Sequence, residues 1–238
     1  MCGRYSNTQL PKFVEKNRAW LAPAGGGFQP SFNVAPGQMV ATVAVGNPTA
    51  QSGGESAGQG PKLTMALWGF PRPPGAAGGG MMINARAETV DRLPMFREAF
   101  LQRRCLIVAD GFYEWQKLDA KTRQPFYFAL ESAEPFAFAG LWNPGSGGAA
   151  PECLLLTTRP NALVAPVHNR MPVILPQSAY AAWLGQPGAP PPTTPVARRD
   201  LTALLAPYPA EQMVGRPVSR LVNSVRNNSP DCIAPLAA

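Results

Sequence analysis

The sequence predicts an α+β fold with a mostly antiparallel β core, and three observations carry that prediction. Segments that are short, branched or aromatic and bounded by turn formers recur along the chain, as strands do. They come in runs without regular helical crossovers, and the helical patterns are few. At 238 residues, 45% apolar and 15% charged, the chain has material for one sizeable core, and one domain over 1–238 is expected. Its 28 prolines and 23 glycines imply ordered elements separated by generous loops.

A first helix is expected over 8–21, where Leu10, Phe13, Val14 and Trp20 recur at roughly helical spacing and Pro11 fits the first turn. Strands are expected over 39–45, 63–68, 105–110, 112–116, 125–130, 136–141 and 153–157. Helices are expected over 94–103 and 177–184, with another near 200–205. The stretches 46–61, 71–80, 143–151 and 185–195 are rich in Gly, Pro, Ser or Ala and read as surface loops.

Composition excludes several classes of function. Apolar runs such as 106–109 and 173–175 fall far short of the roughly 20 residues that cross a bilayer, so no membrane span is expected. Met1-Cys2-Gly3-Arg4-Tyr5 has no apolar segment behind it, which makes the cytoplasm the expected location. The cysteines Cys2, Cys105, Cys153 and Cys232 lie far apart without C-x-x-C spacing and are expected to be reduced thiols. With His168 as the single histidine, sites built on several imidazoles are excluded, and no metal or cofactor is expected.

Lys plus Arg number 21 against 14 Asp plus Glu, a net charge of +7, and arginine outnumbers lysine 16 to 5. The planar guanidinium fork suits phosphate, and Arg198, Arg199, Arg216, Arg220 and Arg226 cluster late in the chain. An anionic partner such as nucleic acid fits this balance, and so does a charge that serves solubility alone.

Cys2 is unusual by position. Removal of Met1 leaves a free amine and a thiol on adjacent carbons, with ordinary pKa values of roughly 7.7–8.0 and about 8.5. Such a group attacks an aldehyde through nitrogen and can then close a five-membered thiazolidine through sulfur. Taken alone, a cysteine here is equally a small second residue that permits methionine removal. Glu114 lies among Phe112, Tyr113 and Trp115, so an extended segment would desolvate it and raise its pKa toward general acid–base use. Alternation puts Phe112 and Glu114 on one face, with Tyr113 and Trp115 on the other. A structural carboxylate paired with an arginine is the competing reading.

Asn84 and Arg86 share a face if 84–88 is extended, with an amide to orient a nucleophile and a guanidinium for phosphate. Glu88 would lie on that face and lock Arg86. His168 stands two residues before Arg170, which favours its neutral form.

In order along the chain, Cys2-Gly3-Arg4-Tyr5, Phe32-Asn33-Val34-Ala35-Pro36, Trp68-Gly69-Phe70, Ile83-Asn84-Ala85-Arg86-Ala87-Glu88, Ala109-Asp110-Gly111-Phe112-Tyr113-Glu114-Trp115 and His168-Asn169-Arg170-Met171-Pro172 closely resemble the SOS response-associated peptidase family of abasic-site processing proteins. The likeness runs from residue 2 through 218–223. It implies a monomer of one α+β domain with a barrel-like β core and peripheral helices. It also implies binding of single-stranded DNA and a covalent thiazolidine crosslink to abasic sites after Met1 leaves, by self-processing or by an aminopeptidase.

Carried over, Cys2 resembles the nucleophile, Asn84 the residue that positions it, Glu114 the general acid and base, and His168 the helper that opens the sugar. Arg4, Arg86 and Arg170 would hold phosphates, and Pro36 and Trp68 lie in segments that would line the DNA groove. Where the family carries further tryptophans after Phe70, this chain has Pro71-Arg72-Pro73-Pro74, which implies base stacking supplied differently. Two other readings compete: a cysteine peptidase acting on protein substrates, and a non-catalytic basic module that binds single strands.

Overall fold

The computed structural model describes residues 2–21, 28–45, 60–72, 80–145, 149–185 and 194–236. In chain order these form β1 (Tyr5–Asn7), α1 (Leu10–Lys16), β2 (Ser31–Val34), β3 (Met39–Ala44), β4 (Lys62–Trp68), β5 (Asn84–Arg86) and α2 (Pro94–Gln102). There follow β6 (Arg104–Ala109), β7 (Gly111–Lys117), β8 (Arg123–Leu130), β9 (Phe136–Asn143), β10 (Glu152–Thr158), β11 (Met171–Pro172) and β12 (Ile174–Leu175). The last elements are α3 (Tyr180–Leu184), α4 (Pro195–Ala203) and β13 (Met213–Pro217).

The expected α+β architecture is present, with two adjustments to the helices. The first is shorter than 8–21 because Asn17 turns its side-chain amide back onto the Phe13 carbonyl at 2.8 Å, and turns replace helix beyond Lys16. The last begins before residue 200 because Thr194 accepts from the Ala197 amide and Pro195 occupies the first turn. The loops expected at 46–61, 71–80 and 185–195 lie largely outside the described residues, as do 146–148 of the loop expected at 143–151. No helix among the described residues is long and apolar enough to cross a membrane.

The strands form two sheets. One is antiparallel, in the order β13-β8-β7-β1-β2. The other runs β10-β4-β3-β6-β9, and β9 pairs again with β10, so this sheet closes into a ring. Within it β10 and β4 run parallel, and β5 adds a second parallel partner to β10.

Strand alternation sorts β6 between two cores. Leu106 and Val108 join Leu10, Phe13, Phe96, Phe100, Tyr180 and Trp183 under the helices. Cys105, Ile107 and Ala109 point the other way, into a core shared with Tyr5, Phe112, Phe128, Phe138 and Cys2. A strand buried on both faces reads as a continuous apolar run, which is how β6 reads. Phe138 anchors the second core, with ring centroids 5.7 Å from Tyr5, 6.3 Å from Phe112 and 5.2 Å from Phe136. Its truncation to alanine would cost about 3–5 kcal/mol.

A buried polar clamp fixes the amino-terminal strand. Asp110 accepts from the Ser6 hydroxyl, and from the amide and hydroxyl of Thr8, while Tyr127 and Ser6 exchange a 2.8 Å hydrogen bond. The Asp110 amide also donates to the Ser6 carbonyl at 2.9 Å. Gly111 is needed beside this clamp, because a Cβ there would meet the Tyr127 ring at 2.1 Å. Residues 2–8 are thereby held against β7, the strand that carries Glu114.

Candidate active site around Cys2

Cys2 lies immediately before β1 and is fully buried. Its thiol points to the Arg4 carbonyl at 3.6 Å, and its own carbonyl accepts the Asn84 side-chain amide at 2.8 Å. Burial raises the thiol pKa well above its usual value, and the Glu114 carboxylate pushes it further. The sulfur is therefore a neutral thiol near pH 7.

Asn84 reaches Cys2 because β5 adds parallel to β10, with Asn84 opposite Leu155. Ile83, just before it, is pinned at its carbonyl by the Trp68 indole N–H and by the Leu155 amide, both at 3.0 Å. Trp68 is 0% exposed and packs 5.2 Å from Tyr5, so its ring supports the site from within. Pro36 is half-buried in the turn that begins at Ala35, where Gly37 takes a φ of 81° and donates its amide to the Trp68 carbonyl.

Glu114 sits on β7 on the Phe112 side, as alternation requires, and is 2% exposed. Desolvation pushes its pKa from the usual 4.5 up to about 7, against the pull of the amino-terminal charge. Its Oε2 lies 3.7 Å from Nδ1 of His168. His168 is drawn below its ordinary pKa, first by burial and then by the positive charges of the amino terminus, Arg123 and Arg170. Burial disfavours the charged form of both groups, so this contact is no fixed ion pair. Nδ1 is also 3.1 Å from the Arg170 amide, and the Asn161-led turn places the ring through a bond from the His168 amide to the Val164 carbonyl.

Two acceptors of this cluster, Oε1 of Glu114 and Oδ1 of Asn84, are buried and make no hydrogen bond in the protein. Each such group carries a desolvation cost of about 1–3 kcal/mol. The cluster thus combines a nucleophile-bearing residue, a carboxyl poised near neutrality, a neutral imidazole and unused acceptors.

The arginines divide. Arg4 donates to Asn33 Oδ1 at 2.8 Å and to the Val222 carbonyl at 2.7 Å, tying the strand after Cys2 to the carboxy-terminal segment. Arg86 is exposed. Arg170 forms a two-pronged pair with Glu88, at 2.6 and 2.9 Å. The expectation that Glu88 locks Arg86 is thus corrected: its hydrogen-bonded partner is Arg170, brought in from β11's approach, while Arg86 adds only a weaker through-space influence.

Asn33 had no role assigned from sequence beyond its motif. Its amide donates to the carbonyls of Val222, Ser224 and Asn227, and its oxygen accepts from Arg4. An asparagine between the apolar residues Phe32 and Val34 was the available signal, since an amide buried in such a strand must find several partners. Among the described residues no group of His, Cys, Asp and Glu could hold a metal ion.

Comparison with known proteins adds independent findings. The family profile described as SOS response associated peptidase (SRAP) matches residues 1–225. The chain is 38% identical over 240 residues to the abasic site processing protein YoqW of Bacillus subtilis, covering 98% of this chain and 99% of that one. It is 40% identical over 240 residues to the abasic site processing protein YoaM of the same organism, covering 98% and 97%. Among solved structures, a phage-related protein from Bordetella bronchiseptica superposes with a TM-score of 0.67 at 29% identity, over 92% of this chain and 95% of that chain.

Proposed function

The chain belongs to the SOS response-associated peptidase family, and from that membership we propose that it processes abasic sites in single-stranded DNA by covalent capture on Cys2. The observation that carries the reading is the meeting of Cys2 with Asn84 and Glu114: an amide holding the Cys2 carbonyl at 2.8 Å, and a buried carboxyl with a pKa of about 7 beside the thiol. Named relatives that process abasic sites support the substrate.

Loss of Met1 converts the Cys2 nitrogen from a peptide amide into an amine. An abasic deoxyribose rests mainly as a closed hemiacetal, and proton transfer at its ring oxygen opens it to the aldehyde, work that suits His168 beside Glu114. The amine adds to the aldehyde carbon, the resulting hydroxyl leaves as water on a proton from Glu114, and an imine remains. The Cys2 thiol then adds across the C=N bond, sulfur to carbon and proton to nitrogen, closing the thiazolidine with no change of oxidation state. The high thiol pKa suits this order, since nitrogen attacks first and sulfur closes. It also disfavours a peptidase led by a thiolate.

The test is incubation of untagged, Met1-free protein with a single-stranded oligonucleotide bearing one abasic site, followed by a denaturing gel. A retarded band from the wild type that is missing from Cys2→Ala is expected. No band from the wild type, with the amino terminus verified by mass spectrometry, overturns the reading.

A further inference from the structure

We propose that a cationic groove at the β7–β8 hairpin, lined by Lys121, Arg123 and Arg220, holds backbone phosphates of the single strand on one side of the abasic residue. The inference rests on the DNA reading above and extends it to a surface away from the reacting atoms.

The groove is a cavity of about 470 Å3 bounded by Trp115, Lys121, Thr122, Arg123, Arg220 and Asn223. Its charge is unbalanced. Lys117 and Arg123 face each other directly in the hairpin register, and like charges in that arrangement destabilise a strand pair. Among the described residues, Lys117, Lys121, Arg123 and Arg220 take part in no salt bridge. The hairpin's own carboxylate, Asp119, is engaged in shaping the turn: one oxygen accepts the amides of Lys121 and Thr122, each at 2.7 Å. Arg220 acts on Asp119 only as the last and smallest influence. Exposed cations left without a carboxylate partner are free to take an external anion.

The groove opens on the Trp115 face of β7, opposite the Glu114 carboxyl, and is linked to the site through neighbouring residues. Trp115 follows Glu114 on β7 and donates its indole N–H to Asn223 Oδ1 at 2.7 Å. The Asn223 carbonyl lies 3.5 Å from the guanidinium of Arg4, which stands between Cys2 and β1. Arg123 is near enough for its charge to act on His168. A strand whose abasic sugar meets Cys2 would reach these side chains by turning around the 118–122 end of the hairpin. Guanidinium forks match phosphate oxygens two at a time and read no base, which suits a lesion found in any sequence.

The full-length protein is tested by non-covalent binding to single strands carrying a tetrahydrofuran abasic analogue, which has no aldehyde to capture. A short strand is compared with strands extended by a few nucleotides on the 5′ or the 3′ side. The variant is Lys121→Ala/Arg123→Ala/Arg220→Ala; all three side chains are exposed, and a thermal melt checks the fold. The wild type is expected to gain affinity from one extension, and the variant to lose about tenfold of that gain with a salt slope shallower by about 2, the value for three phosphates on a single strand. Arg123→Lys/Arg220→Lys is expected to keep the slope. Equal gains from both extensions in variant and wild type overturn the groove. Loss of the gain in a protein whose wild type forms no denaturation-resistant adduct supports the groove while overturning capture by Cys2. Failure of the wild type to bind any of the strands overturns the groove.

Discussion

Asn84 donates its side-chain amide to the Cys2 carbonyl at 2.8 Å, a bond that joins residues 82 apart in sequence. It ties a residue beside the amino-terminal strand to β5, and β5 is itself tied to β10. The Cys2 backbone is thus oriented by a rigid strand, although the residue stands next to a chain end, where freedom is normally greatest. Asn84→Ala is expected to slow adduct formation about 10- to 100-fold, since small misplacements of a nucleophile cost on that scale. Single-turnover crosslinking reads the loss, and binding to the tetrahydrofuran strand should change little. An equal loss in both would assign Asn84 to DNA binding instead.

Glu114 makes stability depend on pH in a definite direction. Its pKa is about 7 in the folded chain against the usual 4.5, so the folded state keeps the proton longer and stability falls as pH rises between those values. Glu114→Gln removes that loss. It is expected to stabilise the protein by about 3 kcal/mol above pH 7 and by nearly nothing below pH 4. Thermal melts at pH 4 and pH 8 check this, and the same variant should form the adduct about 100-fold more slowly or worse.

Glu88 holds Arg170 while remaining half exposed, with 49% of its side chain in solvent. Glu88→Gln is expected to change stability by less than about 1 kcal/mol. It should tighten single-strand binding about threefold at low salt, because a carboxylate beside Arg170 and Arg86 is removed, and the gain should fade as salt rises. Weaker binding would mean that Glu88 holds Arg170 in its working position.

Asn33 joins the carboxy-terminal turns to β2 through three carbonyls and to Arg4 through its oxygen. Asn33→Ala leaves buried partners unpaired and is expected to cost about 2–4 kcal/mol. Hydrogen exchange should show lost protection concentrated at 220–232, which a uniform loss across the chain would contradict.

Much of this protein was legible in one dimension. The strands containing 39–44, 105–109 and 136–141 announced themselves by apolar character between turn formers, and alternation alone put Phe112 and Glu114 on one face. The strands of three to five residues, β1, β2, β5 and β13, did not, because a segment so short and partly polar shows no period. The residue types also fixed which chemistry was available: an aminothiol at Cys2, one carboxyl among aromatics, one imidazole. Only the tertiary structure decided distance and burial. It gave Arg170, not Arg86, to Glu88, placed Trp68 inside beneath Ile83, and gathered Lys121, Arg123 and Arg220 around one groove. The physical reason is that pairing and pKa depend on Coulomb separation and desolvation, which arise between segments far apart in sequence and exist only once the chain has folded.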